Sequence, residues 1–384
     1  MRLFDKLIPR RSRTRVQVVG DGAAWANPLA YKSATVREAV DAVARHAGKL
    51  KPRHMLGDAP VRDDLERLLA LRPNPAMNSY DFLYKLASQL LLKNNAFAFI
   101  HWRGSRLIGL YPVDYTSVTA EEDATTGALI MHFTLTSGRD FWADYESLIH
   151  LRRHFAERQV LGADNAPMND AVELVNASNA GTLNAIKSGT TLRGILRVTK
   201  KALDPRETKK RRDEFVRDYA NPEDASGIAA LDADMEYSPL DPSKLYTVKA
   251  EERRQIKDEV YSYFGLNEKI VRGSYSEDEW NAFYESTLEP IAIQLSLEFT
   301  EKLFTRREIA EGHRIAVEAN RLQYASANTK TNLLNTMGML GIIKIDEGRE
   351  IFNLGPVPGG DQLIQNWNQG SNAPKEVKTD EEQN

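Results

Sequence analysis

Few residues stand at spacings that could do chemistry. His150 and His154 are four apart, which on a helix would let two imidazoles share a metal ion. The surrounding SLIHLRRH reads as a strand, however, and there the same spacing separates the rings. Asp232, Asp234 and Glu236 alternate, so on a strand they would project from one face and could gather a divalent ion; a solvated face of a small insertion is the plainer reading. Seven histidines are scattered, and no Ser/His/Asp grouping can be assembled from spacing alone. There is no G-x-x-x-x-G-K-[ST], no G-x-G-x-x-G and no H-E-x-x-H, so no nucleotide cradle or zinc helix is visible. The absence of cysteine removes disulfides, thiolate nucleophiles and Cys-based zinc sites, and favours an intracellular, non-secreted chain. The expectation is a protein without catalysis, cofactor or metal. A metal-dependent nuclease built on Asp232, Asp234 and Glu236 is the enzymatic alternative, and it would need further converging ligands.

Charge carries more information. Lys plus Arg is 51 and Asp plus Glu is 54, so the net charge is −3 over 384 residues, and any nucleic-acid contact must come from local patches. From Arg197 to Arg217 nine Lys/Arg face four Asp/Glu, a local excess of five. Lys209, Lys210, Arg211 and Arg212 span a full helical turn; they read either as a phosphate-facing surface or as a solvated face balanced by Asp213, Glu214 and Asp218. Arg253, Arg254 and Lys257 are countered by Glu251, Glu252, Asp258 and Glu259. Lys269 and Arg272 differ: they flank the apolar pair Ile270–Val271, with Gly273 and Ser274 following, the composition of a loop tip that touches a partner.

These groups must be held by elements. Apolar spacing predicts helices over residues 35–47, 61–71 and 79–93. Pro73 and Pro75 stop the second, Ser79 is a good cap for the third, and Asn94–Asn95 suit a left-handed exit. From Ala96 the period falls to two, and AFAFIHW, RLIGLYPV, YTSVTAE, ALIMHFTLT, DFWADY and SLIHLR read as short strands up to about Arg153. Helices follow at 168–188, at 205–219 (opened by Asp204–Pro205) and at 250–266, with a strand at LRGILRV and a small irregular or β insertion at 227–248. Residues 267–276 read as a loop. Residues 277–304 read as one long helix interrupted by Pro290, whose missing N–H predicts a kink. HRIAVEA is strand-like, and short helices are expected at 328–340 and 346–352. The first 15 residues carry six Lys/Arg against one Asp and read as a basic, poorly ordered arm; residues 369–384 read as a disordered acidic tail. No apolar run approaches the roughly 18 residues of a membrane span.

Several motifs, taken in order, resemble one family. RPNP at Arg72–Pro75, SYDF at Ser79–Phe82, QLLLKNNAFAFI at Gln89–Ile100, LIGLYPVDYTSV at Leu107–Val118 and LIHLR at Leu148–Arg152 resemble phage portal proteins, the head-to-tail connectors of tailed bacteriophages. YFGLN at Tyr263–Asn267, FYESTLEP at Phe283–Pro290, LSLEFTEKLF at Leu295–Phe304 and GPVPGGD at Gly355–Asp361 continue the series. Each motif alone is weak; the ordered set is specific.

The resemblance implies an α+β portal-type subunit that assembles into a ring, usually of twelve copies, at one capsid vertex, through which double-stranded DNA is packaged and ejected. It implies a basic N-terminal arm (1–27), a wing (28–203), a first stem helix (204–220), a clip (221–249), a second stem helix (250–266), a tunnel loop (267–278), a kinked helix returning to the wing (279–327), a crown and C-terminal segment (328–368) and a tail (369–384). Lys269, Ile270, Val271, Arg272 and Ser274 would face DNA from the tunnel loop. Lys209, Lys210, Arg211, Arg212, Arg253, Arg254 and Lys257 would line the stem or the subunit interfaces, and Pro290 would mark the kink. Implied partners are the chain itself, double-stranded DNA, the terminase large subunit, major capsid and scaffolding proteins and a head–tail adaptor, with no membrane. The implied setting is the virion, after assembly in the host cytoplasm. A ring-forming capsid or tail adaptor without a DNA channel is the alternative.

Overall fold

The computed structural model describes residues 16–23, 30–156, 160–189, 194–198, 204–219, 235–239, 249–318, 327–352 and 354–364. Contacts divide the chain into two units, one of Met1–Ala44, Leu86–Phe97 and Pro112–Arg272, the other of Arg45–Lys85, Ala98–Tyr111 and Gly273–Asn384. Both mix helix and strand.

In the first unit, β1 (Val16–Ala23), β6 (Tyr115–Asp123), β7 (Leu129–Leu135) and β8 (Asp140–Asp144) form an antiparallel sheet in that order. β1 pairs along β6 from Val16↔Asp123 to Ala23↔Ser117, with a bulge between Val18 and Gly20. Within the expected basic arm at 1–27, Val16–Ala23 thus form a strand: its valines are β-formers, and β6 supplies the partner edge that local sequence cannot reveal. The core of this unit is aromatic. Phe97 meets Phe133 edge-on at 4.9 Å and stacks on His150 at 4.1 Å, and Phe133 lies 5.9 Å from Phe141. All four are buried, and each apolar ring contributes about 1.5–3 kcal/mol of burial.

In the same unit, β9 (Leu148–Arg152) lies beside the start of β4 (Asn95–Arg103), with the Arg153 N–H on the Asn94 carbonyl at 2.9 Å. α1 (Ala34–Ala47) starts here and buries Val36, Ala39, Val40 and Val43. α4 (Asn169–Gly189), β10 (Gly194–Val198), α5 (Pro205–Tyr219), β11 (Met235–Pro239) and α6 (Ala250–Tyr263) follow. β10 and β11 pair antiparallel from Gly194↔Pro239 to Val198↔Met235. The rest of the expected insertion at 221–249, like the tail at 369–384, lies outside the described residues.

In the second unit, β2 (Lys51–Leu56) sits between β12 (His313–Glu318) and the two-residue β3 (Ala59–Pro60). α2 (Asp64–Leu71) starts three residues later than its apolar pattern suggested, because Asp63 caps it by accepting from the Glu66 N–H. α3 (Ser79–Lys93) begins in this unit; its cap is Asn78 rather than Ser79, with the Asp81 N–H on Asn78 Oδ1 at 2.8 Å. β5 (Arg106–Pro112) hairpins onto the end of β4, and the Leu110 N–H reaches the Pro73 carbonyl at 2.8 Å.

The expected single helix over 277–304 is three segments: α8 (Glu277–Phe283), a π-helical turn (Tyr284–Leu288) and α9 (Glu289–Leu303). The Glu289 N–H bonds the Tyr284 carbonyl five residues back, so the ladder widens just before Pro290, which has no N–H to continue it. α9 buries Ile291, Leu295, Phe299 and Leu303, while its Ser296 and Thr300 hydroxyls accept from the Val317 and Ile315 N–H groups of β12. After α10 (Arg306–Ala310) and β12 come α11 (Ala327–Met339) and α12 (Ile345–Ile351).

Candidate nucleic-acid interface

α5 carries the densest positive charge. Asp204 caps it, its Oδ1 accepting from the Arg206 and Glu207 N–H groups at 2.8 Å each. Every side chain from Asp204 to Asp213 is exposed, because the helix lacks an apolar stripe long enough to bury. Arg212 folds onto the neighbouring Asp213, its Nε at 2.9 Å from Oδ1. Lys209, Lys210 and Arg211 have no acidic partner among the described residues.

α6 is anchored instead. Val260 and Tyr261 are buried, and so is Phe264 just beyond its end. The Tyr261 hydroxyl donates to Glu38 Oε2 at 2.8 Å; burial, followed by that carboxylate, pushes the phenol well above its ordinary range. Arg153 donates to the Tyr263 carbonyl at 2.8 Å, and burial, opposed by Tyr263, draws its guanidinium below the usual arginine value. The Tyr263 hydroxyl donates at 2.7 Å to Oδ1 of Asn165, whose side chain is fully buried. Asn165 also accepts from Asn94 Nδ2 at 2.7 Å and donates to the Leu91 and Leu92 carbonyls at 2.9 and 3.0 Å. One amide thus satisfies the open end of α3 and the tip of α6. α6 ends at Gly265, whose φ of +72° lets the Leu266 N–H reach back to the Tyr261 carbonyl at 2.9 Å.

Among the α6 cations, Arg253 donates to Thr182 Oγ1 on α4 at 3.2 Å, and Arg254 pairs with Glu268 at 3.0 Å. Lys257 has no acidic partner among the described residues.

The segment expected as a loop at 267–276 contains a five-residue helix, α7 (Glu268–Arg272). Asn267 caps it by accepting from the Ile270 N–H at 2.9 Å, and Arg272 closes onto Glu268 at 2.6 Å. Ile270, expected on a DNA-facing tip, is 1% exposed and anchors this turn. Lys269 and Arg272 are exposed beside it, Val271 is half-buried, and Ser274, in the second unit, is exposed. The buried anchor fixes a short cationic helix where an open loop was expected.

The metal readings find no support in placement. His150 is buried between Asn95 Oδ1 at 3.1 Å and the Tyr145 hydroxyl at 3.2 Å, while His154 is exposed with φ +49°. Glu236 faces Arg197 at 3.9 Å, and Asp232 and Asp234 lie outside the described residues. Among the described residues no three His, Cys, Asp or Glu gather as a metal site, and no helix is long and apolar enough to cross a membrane.

Sequence reasoning saw Asn94 only as a helix exit, and it missed Asn165 entirely. The one available signal was the D-N-A-P stretch at 164–167, a turn composition that does not say which distant carbonyls its amide will cap.

Comparison with known proteins places these features in context. A family model described as "Phage portal protein" matches residues 34–353. Probable portal proteins of Lactococcus phage p2 and Lactococcus phage SK1 are each 25% identical, covering 96% of this chain and 93% of their own length. The neck of a native gene transfer agent particle, determined with C12 symmetry, superposes with a TM-score of 0.61 at 16% identity, over 88% of this chain and 97% of that one. An HK97-family phage portal protein from Corynebacterium diphtheriae gives 0.52 at 10% identity, over 80% and 99%. At such identities these two structures speak for the fold.

Proposed function

Because this chain belongs to the phage portal protein family, we propose that twelve copies close into a ring at one capsid vertex and form the channel for packaging and ejecting double-stranded DNA. The observation that carries this reading is the family match running from residue 34 to residue 353, through every element that presents the charged helices. In this proposal the ring docks the terminase large subunit during packaging and a head–tail adaptor afterwards, and it sits among major capsid and scaffolding proteins. Assembly takes place in the host cytoplasm and the product is part of the virion. No catalytic step is assigned to it, and a separate ATPase supplies the work.

The geometry fits such a role. Rotational symmetry turns the exposed Lys269 into a ring of charge, one per subunit, beside a ring of Arg272–Glu268 pairs. A net charge of −3 per chain suits a conduit, because dense phosphate neutralisation would hold DNA in place rather than let it slide. α5, exposed over Asp204–Asp213 and carrying three cations with no acidic partner among the described residues, is a surface that a closed ring would set against a neighbour's acidic residues or against DNA. In this reading α5 and α6 form the stem, residues 221–249 the clip, residues 267–278 the channel-facing segment and residues 328–368 the crown.

Charge reversal tests the assignment. Replacing Lys209, Lys210, Arg211 and Arg212 together by Glu is expected to reduce either ring formation, read by native mass spectrometry, or the yield of DNA-filled heads. Normal rings with normal packaging contradict the role given to α5.

A further inference from the structure

The second unit contains a concavity of about 570 Å³ that the portal reading does not use. It lies wholly within residues 48–80, between the start of β2, the β3 turn, α2 and the first residues of α3. Its volume is within the range of small-ligand sites.

Its lining is cationic. Lys51 and Arg53 alternate with the buried Pro52 and His54 along β2, so both project from the same exposed face, about 6.6 Å apart along the strand. Arg62 faces them from beyond β3, and Lys49 stands at the end of α1. Lys51, Arg53 and Arg62 have no acidic partner among the described residues. The one carboxylate in the lining, Glu66, is engaged: its Oε2 accepts the His54 N–H at 2.6 Å. One wall is the Tyr80 ring, 41% exposed and stacked on Tyr84 at 6.2 Å. Gly48 makes room for it, since a Cβ there would lie 2.8 Å from the ring.

The backbone around the cavity narrows the choice of ligand. An extended peptide adding to the open edge of β2 would need amide donors. The His54 N–H is taken by Glu66, its carbonyl by the Val61 N–H at 2.8 Å, and Pro52, facing the same edge, has no N–H. Strand addition is therefore blocked, and recognition falls to side chains: guanidinium forks and ammonium groups suited to phosphate oxygens, beside an aromatic face suited to a base.

We propose that this concavity binds a phosphate-bearing ligand of nucleotide dimensions, with Lys51, Arg53 and Arg62 on phosphate oxygens and Tyr80 stacked against a base. The site is complete within one chain and does not depend on the channel reading. Its ligand chemistry could come from a free nucleotide or from a single-stranded nucleic-acid segment.

Titration calorimetry on the full chain tests this with adenosine triphosphate, inorganic tripolyphosphate and hexathymidylate as probes, and hexaglutamate as a comparison of equal charge type. All three phosphate probes are expected to bind, and to weaken as salt is raised. Arg53→Glu with Arg62→Glu should weaken them by more than about tenfold, as loss of two charge-assisted hydrogen bonds requires, at an unchanged melting temperature. Tyr80→Ala should weaken the triphosphate nucleoside and the oligonucleotide but not tripolyphosphate. Tighter hexathymidylate than adenosine triphosphate identifies a nucleic-acid strand as the source, and the reverse order a free nucleotide. Hexaglutamate binding as tightly as the phosphate probes, no binding by any phosphate probe, or charge-reversed variants that bind as well as the parent each overturn the proposal.

Discussion

Replacing Asn165 by Asp exchanges one heavy atom and should damage the first unit more than deleting the side chain does. The native amide donates to the Leu91 and Leu92 carbonyls at 2.9 and 3.0 Å and accepts from Asn94 and Tyr263 at 2.7 Å each, with no solvent exposure. Asn165→Ala removes all four bonds. Each buried group left unsatisfied costs about 1–3 kcal/mol. Asn94 Nδ2 keeps the Ala163 carbonyl at 2.8 Å and Leu92 is half-buried, so part of the loss is recovered and a net cost of about 2–4 kcal/mol follows. Asn165→Asp keeps both acceptor bonds but sets a carboxylate oxygen against two carbonyl oxygens in a dry site, at a cost of about 3–5 kcal/mol. The two variants also differ in pH response. The buried carboxyl of Asn165→Asp would have its folded-state pKa raised above its unfolded value, so the folded state binds the proton more tightly. Stability of that variant should then recover as pH falls toward 4, whereas Asn165→Ala shows no such recovery. Urea unfolding followed by circular dichroism from pH 7.5 to pH 4 measures both effects. If Asn165→Asp is as stable as Asn165→Ala at pH 7.5, or gains nothing on acidification, the account of this amide as the tie between α3 and α6 fails.

Two further outcomes follow from burial. His46, 6% exposed and packed on Trp280 at 4.8 Å and Phe283 at 5.7 Å, is held neutral, with its folded-state pKa lowered from 6.5 to about 4 by burial, then by Lys49 and Arg45. The unfolded chain takes up this proton first. The stabilisation is therefore complete above pH 6.5 and is lost as pH falls from 6.5 to 4, by about 3 kcal/mol in all. His46→Phe should flatten the stability profile across that window, and an unchanged slope would show that the proton is taken up elsewhere. Ile270→Ala should cost about 2–5 kcal/mol and raise amide exchange across Glu268–Arg272, because Ile270 is the buried anchor of α7; protection that stays at the parent level would mean the turn is held by Asn267 and the Arg272–Glu268 pair alone.

The legible parts of this molecule were those with local causes. The strands from Asn95 to Arg152 stand where the period of two placed them, since alternation against a sheet face is written residue by residue. Asn94 takes the left-handed exit its type suggested, with φ +52°. α7 hides in the sequence because five residues carry too little periodicity, and what holds it is an Asn267 cap and the burial of Ile270. β1 was hidden for a similar reason: its partner edge lies about a hundred residues away. Pro290 announced a disturbance in the long helix, but not that the response would be a π turn placed before it. The cations of the candidate interface were visible as charge, whereas which of them are paired was not. Arg254 and Arg272 both pair with Glu268: Arg272 stands four residues after it on α7, whereas Arg254 reaches it from α6, a contact no local spacing announces. The concavity over Lys51 and Arg53 was invisible, because its walls come from four elements.

The central claim is that copies of this chain close around DNA. Native mass spectrometry joined to electron microscopy of the purified full chain tests it most directly. The account predicts particles of twelve times the 43.3 kDa chain mass, with a central opening wide enough for duplex DNA. A monodisperse monomer at high concentration, or a closed particle without an axial opening, would contradict it.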